Sequence, residues 1–260
     1  MGMLTDKVAL VTGATSGIGR AAARRFAEHG AAVALIARSK DDGEALQVEL
    51  ERDGHRALFV KCDVGKAEDV ERAVDRTVER FGGLDIVMAN AGINGVWAPV
   101  EELAPDEWDQ TMTTNLRGTF LTVRTAVPRL KERGGGSIII TSSVNGTRTF
   151  SNPGTSAYAT SKAGQVAFMK VVALELGKHR IRCNAICPGF IQTNIDESTE
   201  ERDTDSIGIE VELREGNPAV DQGEGDANEV ADVCLFLASD LARHVSGVEI
   251  FVDGGASLLR

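Results

Sequence analysis

Tyr158 and Lys162 are the pair best placed by type and spacing to do chemistry together. Tyr158 is the only tyrosine in the chain and stands in Tyr158-Ala159-Thr160-Ser161-Lys162. Residues at i and i+4 share one helix face. A tyrosine free in water keeps its proton to pH ~10. A neighbouring ammonium favours the phenolate and draws that value toward working pH, which makes an acid/base for an alcohol or carbonyl. Upstream, the strand-like run Ser137–Thr141 ends in Ser142-Ser143-Val144-Asn145-Gly146. A hydroxyl at the carboxyl end of a strand faces the crevice where open α/β sheets bind ligands. Serine there is also ordinary turn chemistry, and Tyr-x-x-x-Lys recurs by chance. The surrounding sequence has to decide.

A second constellation is rich in glycine. Val8–Thr12 runs into Gly13-Ala14-Thr15-Ser16-Gly17-Ile18-Gly19 and then into a helical pattern. Gly13 permits a tight turn, Gly17 lets backbone approach a phosphate, and Gly19 lets helix and strand pack closely. The helix start offers free N–H groups and a positive dipole end to a pyrophosphate. The strand context is what gives the glycine pattern weight. The next strand ends at Ala37, where an acid would favour NAD; Arg38 and Ser39 follow instead. An arginine fork and a hydroxyl suit a 2′-phosphate, so the expected cofactor is NADP, with NAD the alternative. Arg38 could equally answer Asp41 and Asp42 on the surface.

These residues need a scaffold, and the chain supplies a rhythm of strands and helices. Apolar runs at Val8–Thr12, Ala32–Ala37, Ala57–Cys62, Ile86–Ala89, Ser137–Thr141, Ile181–Cys187 and Glu249–Val252 read as strands buried on both faces. Helical patterns such as Gly19–His29, Asp41–Asp53, Glu68–Phe81 and Ser161–Gly177 lie between them. The alternation predicts an α/β fold: one doubly wound sheet of seven parallel strands with helices on both faces. No linker divides the chain, so 1–260 is expected to be a single domain. From Asn194 to Glu229 the sequence turns polar and acidic, with no clear strand.

Composition narrows the function. The chain has 260 residues, 42% of them apolar, which is too many for a disordered chain. Its 39 acidic against 28 basic side chains give a net charge of −11. That balance argues against nucleic acid and against an anionic membrane surface. The segment 194–229 carries thirteen of the acids and two arginines, so it accounts for the whole imbalance. No signal peptide and no run long enough to span a membrane is visible. The four cysteines, Cys62, Cys183, Cys187 and Cys234, contain no CxxC pair, so a reduced, cytoplasmic protein without a metal site is expected. Cys183 and Cys187 share parity and are expected on one face of a buried strand. His29, His55 and His179 fall at helix ends or in loops, with no triad around them.

The combined pattern resembles the short-chain dehydrogenase/reductase family along essentially the whole chain. The landmarks follow family order: Thr12-Gly13-x-x-x-Gly17-Ile18-Gly19, Asp63-Val64, Asn90-Ala91-Gly92, Asn115, Ser143, Tyr158-x-x-x-Lys162, Pro188-Gly189 and Val252-Asp253-Gly254-Gly255. The resemblance implies a Rossmann-like sheet with strand order 3-2-1-4-5-6-7. It implies hydride transfer between NADP(H) or NAD(H) and a secondary alcohol or carbonyl of a small molecule. Tyr158 would be the general acid/base. Lys162 would hold the nicotinamide ribose and lower the tyrosine pKa. Ser143 would hydrogen-bond the reacting oxygen, and Asn115 would bind a water in a proton relay through Lys162. Gly13, Thr15, Ser16, Gly17, Ile18 and Gly19 would form the phosphate loop. Asp63 and Val64 would meet adenine, Asn90-Ala91-Gly92 the cofactor ribose, and Pro188, Gly189 and Thr193 the nicotinamide. Trp97, Asn145 and Phe190, with Ser143 and Tyr158, would meet substrate. Segment 194–229 falls where the family carries its substrate lid. A homotetramer or homodimer is implied. Ser143 precedes Tyr158 by fifteen residues, where many relatives have thirteen, which lengthens one pocket wall. A catalytically silent nicotinamide-binding regulator, or a dehydratase or epimerase on the same fold, are the rival readings.

Overall fold

The structure is a computed structural model and describes residues 2–193, 195, 198–209 and 225–259. Strand and helix alternate: β1 (Val8–Thr12), α1 (Gly17–Glu28), β2 (Ala32–Ala37), α2 (Lys40–Arg52), β3 (Ala57–Lys61), α3 (Ala67–Phe81) and β4 (Ile86–Ala89). After a short β5 (Gly95–Trp97) come α4 (Pro105–Met112), α5 (Gly118–Arg133), β6 (Gly136–Thr141), α6 (Ser156–Leu176) and β7 (Ile181–Pro188). β8 (Thr199–Glu201), α7 (Ala227–Ala238) and β9 (Glu249–Val252) complete it. The main sheet has seven strands in the order β3-β2-β1-β4-β6-β7-β9. Every pairing in it is parallel. This is the expected doubly wound topology, with its reversal between β1 and β4.

Two apolar cores explain why the strands read as unbroken hydrophobic runs. On β1, Val8 and Leu10 enter one core and Ala9 and Val11 the other. Alternate side chains point to opposite faces, so a strand covered on both sides has no polar register. Helices α3, α5 and α6 cover the first face through residues such as Val70, Leu121 and Val166. Helices α1, α2 and α7 cover the second through Phe26, Leu46 and Val230. Cys183 and Cys187 lie together in the first core, and Cys234 in the second. Among the described residues no helix is long and apolar enough to cross a membrane.

The acidic segment departs from expectation. Thr199–Glu201 is a strand, paired in parallel with Gly95–Trp97 in a separate two-stranded sheet. Thr-Glu-Glu has no hydrophobic alternation; it pairs through backbone, which sequence pattern does not report. The far end of the segment is also different. Asp226 caps α7, accepting from the Asn228 N–H, while Glu229 accepts from the Asp226 N–H. Ala227, Asn228 and Glu229 therefore belong to the helix, and these acids complement its positive end. Residues 210–224, within that segment, lie outside the described residues, as do Asn194, Asp196 and Glu197.

Candidate active site

The crevice opens at the carboxyl ends of β1 and β4, where the strand order reverses. A cavity of about 850 Å³ there is lined by Gly13, Thr15, Ser16, Gly17, Arg38, Ser39, Asp63, Val64, Ala91 and Gly92, among others. Its floor requires glycine. Gly13 and Gly17 have φ of +65° and +47°, in the left-handed region. A Cβ on Gly19 would come 2.1 Å from the Gly13 carbonyl oxygen. Ser16 precedes α1 without a side-chain cap among the described residues, which leaves the first-turn N–H groups to a ligand. Gly-lined backbone, a bare helix N-terminus and a long cavity fit a dinucleotide.

The turn after β4 is built from polar cross-links. Thr12 Oγ1 accepts from the N–H groups of Asn90 and Ala91 at 2.9 and 3.0 Å. Asn90 Nδ2 donates to the Thr12 carbonyl at 3.1 Å, and its Oδ1 accepts from Thr141 Oγ1 at 3.0 Å. Asn90 thus braces the ends of β1 and β6. Asp63 Oδ1 accepts from the Gly65 N–H at 3.0 Å and shapes the loop that presents Val64.

At the deep end of the crevice, the first turns of α6 place Tyr158 and Lys162 beside the end of β6. Both are buried, and so is Ser143. Ser143 stands beside the Tyr158 phenol, close enough to draw its pKa down. Ser142 is engaged elsewhere, its Oγ donating to the Lys162 carbonyl at 2.9 Å. Lys162 Nζ donates to the Thr141 carbonyl at 3.0 Å and lies 5.5 Å from the Tyr158 ring centre. Burial raises the Tyr158 pKa, and Ser143 works against that rise. Lys162 adds no lowering beside these two, and its ammonium is directed at Thr141. The phenol is consequently protonated at neutral pH, the form that can donate to a carbonyl oxygen. Burial also depresses Lys162, to about 8.

Asn115 lies on a π-helical turn, Thr113–Arg117, between α4 and α5. Single π-turns inside helices often mark functional sites. Its side chain is turned inward: Oδ1 accepts from the Ile93 N–H at 2.8 Å, and Nδ2 donates to the Ile93 carbonyl at 2.9 Å and to Ser161 Oγ at 3.0 Å. Its main-chain carbonyl accepts from Thr119 Oγ1 at 2.7 Å and Gln165 Nε2 at 2.9 Å. A carbonyl has two lone pairs. The acceptor left for a relay water on Asn115 is therefore the second lone pair of Oδ1.

The remaining expected residues ring this centre. Pro188 ends β7 and its carbonyl accepts from the Val144 N–H at 3.0 Å. Gly189 abuts Asp253, 2.6 Å from where a Cβ would stand. The Thr193 side chain lies over Gly17. The Asn145 N–H donates to Ser143 Oγ at 3.1 Å, and Asn145 Oδ1 accepts from Asn152 at 3.3 Å. Trp97 is on β5, its indole nitrogen buried without a partner among the described residues. Phe190, just beyond β7, is 69% exposed. Arg38 is exposed at the groove mouth, while Ser39 Oγ donates to Asp42 Oδ2 at 2.5 Å. Sequence reading had missed Arg202. It forms a two-pronged bond with Glu107 at 3.0 and 2.9 Å and reaches the Glu102 carbonyl at 2.7 Å, fastening β8 to α4. No sequence signal links positions so far apart.

A parallel doubly wound sheet, a dinucleotide cradle at its switch point and a buried Ser-Tyr-Lys cluster define a nicotinamide-dependent oxidoreductase. Comparison with known proteins carries this further. Residues 13–257 match a family described as Enoyl-(Acyl carrier protein) reductase. A 3beta-hydroxysteroid dehydrogenase of Mediterraneibacter gnavus is 36% identical, covering 98% of this chain and 96% of its own. The crystal structure of a 3-ketoacyl-ACP reductase from Sinorhizobium meliloti is 49% identical with a TM-score of 0.93, covering 97% of this chain and 100% of that one. Carveol dehydrogenase from Mycobacterium avium, solved in complex with NAD, is 31% identical with a TM-score of 0.88 over 100% of both chains. The chain belongs to the short-chain dehydrogenase/reductase family and is an NAD(P)-dependent oxidoreductase that transfers hydride to or from a small molecule.

Proposed function

We propose that the protein interconverts a secondary alcohol and its carbonyl, with Tyr158 as the general acid/base and NADP(H) as the preferred cofactor. The observation that carries this reading is the buried contact of Ser143 with Tyr158, backed by Lys162, at the deep end of the dinucleotide crevice. The nicotinamide, when bound, supplies or receives the hydride. In reduction Tyr158 passes its proton to the carbonyl oxygen; in oxidation it takes the proton back. Ser143 donates to the same oxygen and stabilises charge developing on it. Lys162 spends one of its three donors on Thr141 and keeps the others for ribose hydroxyls. Arg38 at the groove mouth supports NADP, by its planar fork.

Substrate meets Trp97, Asn145 and Phe190 under a lid formed by the acidic segment, the whole being one domain. Two closures support the lid reading: the Ile191–Gly225 bridge ties its ends together, and Arg202 ties β8 to α4. The exposed apolar residues Phe120, Val171 and Leu174 on α5 and α6 support a homo-oligomer. Four free, buried cysteines support a cytoplasmic setting. Nucleic acid is not a partner, since outside the acidic segment the charges balance. The test is Tyr158→Phe on a panel of sugars, steroids, hydroxy acids and cyclic ketones with both cofactors. Turnover should fall by about a thousandfold or more while cofactor affinity stays within about twofold. A phenylalanine variant that keeps most of its turnover would remove Tyr158 from the chemistry.

A further inference from the structure

Resting on the roles given to Tyr158, Lys162 and Asn115, we propose that Gln165 is a positioning residue of this site: its amide holds the π-turn and so fixes Asn115 opposite Lys162. Helix α6 presents Tyr158, Ser161, Lys162 and Gln165 on one buried face, spaced by threes and fours. Gln165 is fully buried. Its Nε2 donates to the Asn115 carbonyl at 2.9 Å and to Thr119 Oγ1 at 2.8 Å. Thr119 spends its own proton on that same carbonyl at 2.7 Å. Both atoms facing the amide are therefore acceptors, and only the NH₂ end can point at them. The opposite end, Oε1, is buried with no partner among the described residues.

That orphaned oxygen is informative. A buried acceptor without a donor is destabilising, and a leucine or methionine of similar volume would avoid the cost. Packing alone does not account for an amide here; its two donations do. They fall on a turn that is irregular. A side chain inserted at a helical carbonyl disturbs the regular ladder, and Thr113–Arg117 is π-helical. Asn115 is thus gripped at both ends, by Gln165 and Thr119 at its carbonyl and by Ile93 and Ser161 at its side chain. The grip matters because of Gly92. A Cβ there would lie 3.2 Å from Asn115 Oδ1 and 3.5 Å from Lys162 Nζ. Amide oxygen and ammonium thus share one side of Gly92, and the setting of the turn decides how they face each other.

Gln165→Leu separates positioning from packing, with Gln165→Met as the substitute should the leucine variant fail to fold. Val172→Ala serves as the control, a buried truncation two turns further along the same helix. In the Gln165 variant, amides of residues 113–117 should exchange hydrogen about tenfold faster, while those of the central strands are unchanged. With a substrate found by the panel, kcat should fall about ten- to a hundredfold with cofactor KM within about twofold. The alkaline limb of the pH profile should move. Val172→Ala should lower Tm and leave all three untouched. Wild-type exchange, kcat and pH profile in the Gln165 variant would overturn the proposal, as would a Val172→Ala enzyme showing the same changes. Absence of turnover in the wild type would instead sink the reading of the site, and the exchange rates would still decide the place of Gln165.

Discussion

At the scale of the residue, the site turns on which groups keep their protons. Burial holds the Tyr158 phenol protonated and brings Lys162 down to about 8. The ammonium is the charged form, so it persists below that value and is lost as pH rises through it. In the free enzyme, kcat/KM for the cofactor should hold at neutral pH and decline above about 8. A profile flat to pH ~10, the range of an ordinary lysine, would contradict this. Arg38 invites a second measurement. Asp42 lines the same groove and takes the Ser39 hydroxyl, which leaves Arg38 as the main attraction for a 2′-phosphate. Arg38→Asp should swing the ratio of kcat/KM values from NADP toward NAD by tenfold or more, about 1.4 kcal/mol. A wild type that already prefers NAD tenfold would refute the assignment. Tyr158, Lys162 and Ser143 were legible because their spacing and order lie in the chain itself. The bonds from Asn115 to Ile93, Ser161 and Gln165 were not, since nothing local ties position 115 to 93 or 165.

At the scale of the element, strands buried on both faces announced themselves as apolar runs, and their positions agree with expectation to within a residue or so at each end. Helix α6 begins at Ser156, five residues before the apolar spacing suggested, because its first turn holds only small residues and Tyr158, which serves the site. What escaped was β8. Its hold is made of backbone pairing with β5, the bonds from Asn94 to Ser198 and Thr199, and the Arg202–Glu107 pair. Arg202 and the Ala104 N–H bring the Glu107 carboxyl down to about 2. A depressed carboxyl keeps its charge above that value, so the pair persists at neutral pH and is lost only as pH falls toward 2. Arg202→Ala should release β8 from α4. Substrate KM should rise several-fold while cofactor KM is unchanged, and protease should cut within 199–209 sooner. Equal rates of cleavage in variant and wild type would show that the pair holds nothing.

At the scale of the whole molecule, two features stand out. One is electrostatic: the net −11 belongs to a single segment, and the remainder is neutral. The other is apolar. Leu174 is 86% exposed and Val171 56%, both on α6, the helix that carries Tyr158. Leu174→Glu combined with Val171→Glu should reduce the particle mass measured by light scattering and leave the circular dichroism spectrum intact. A wild type of single-chain mass would show that this face stays open to water.

The position of β9 in chain order has its own consequence. β7 is an eight-residue, largely buried strand whose outer partner, Glu249–Val252, stands far along the chain from it. During synthesis that edge must wait, unpaired, until the segment through Val252 has left the ribosome. An exposed apolar strand edge is a template for association with other chains. Deletions that remove β9 should therefore yield aggregates rather than a slightly weakened enzyme, and this edge strand serves as the molecule's guard against sticking to its own copies.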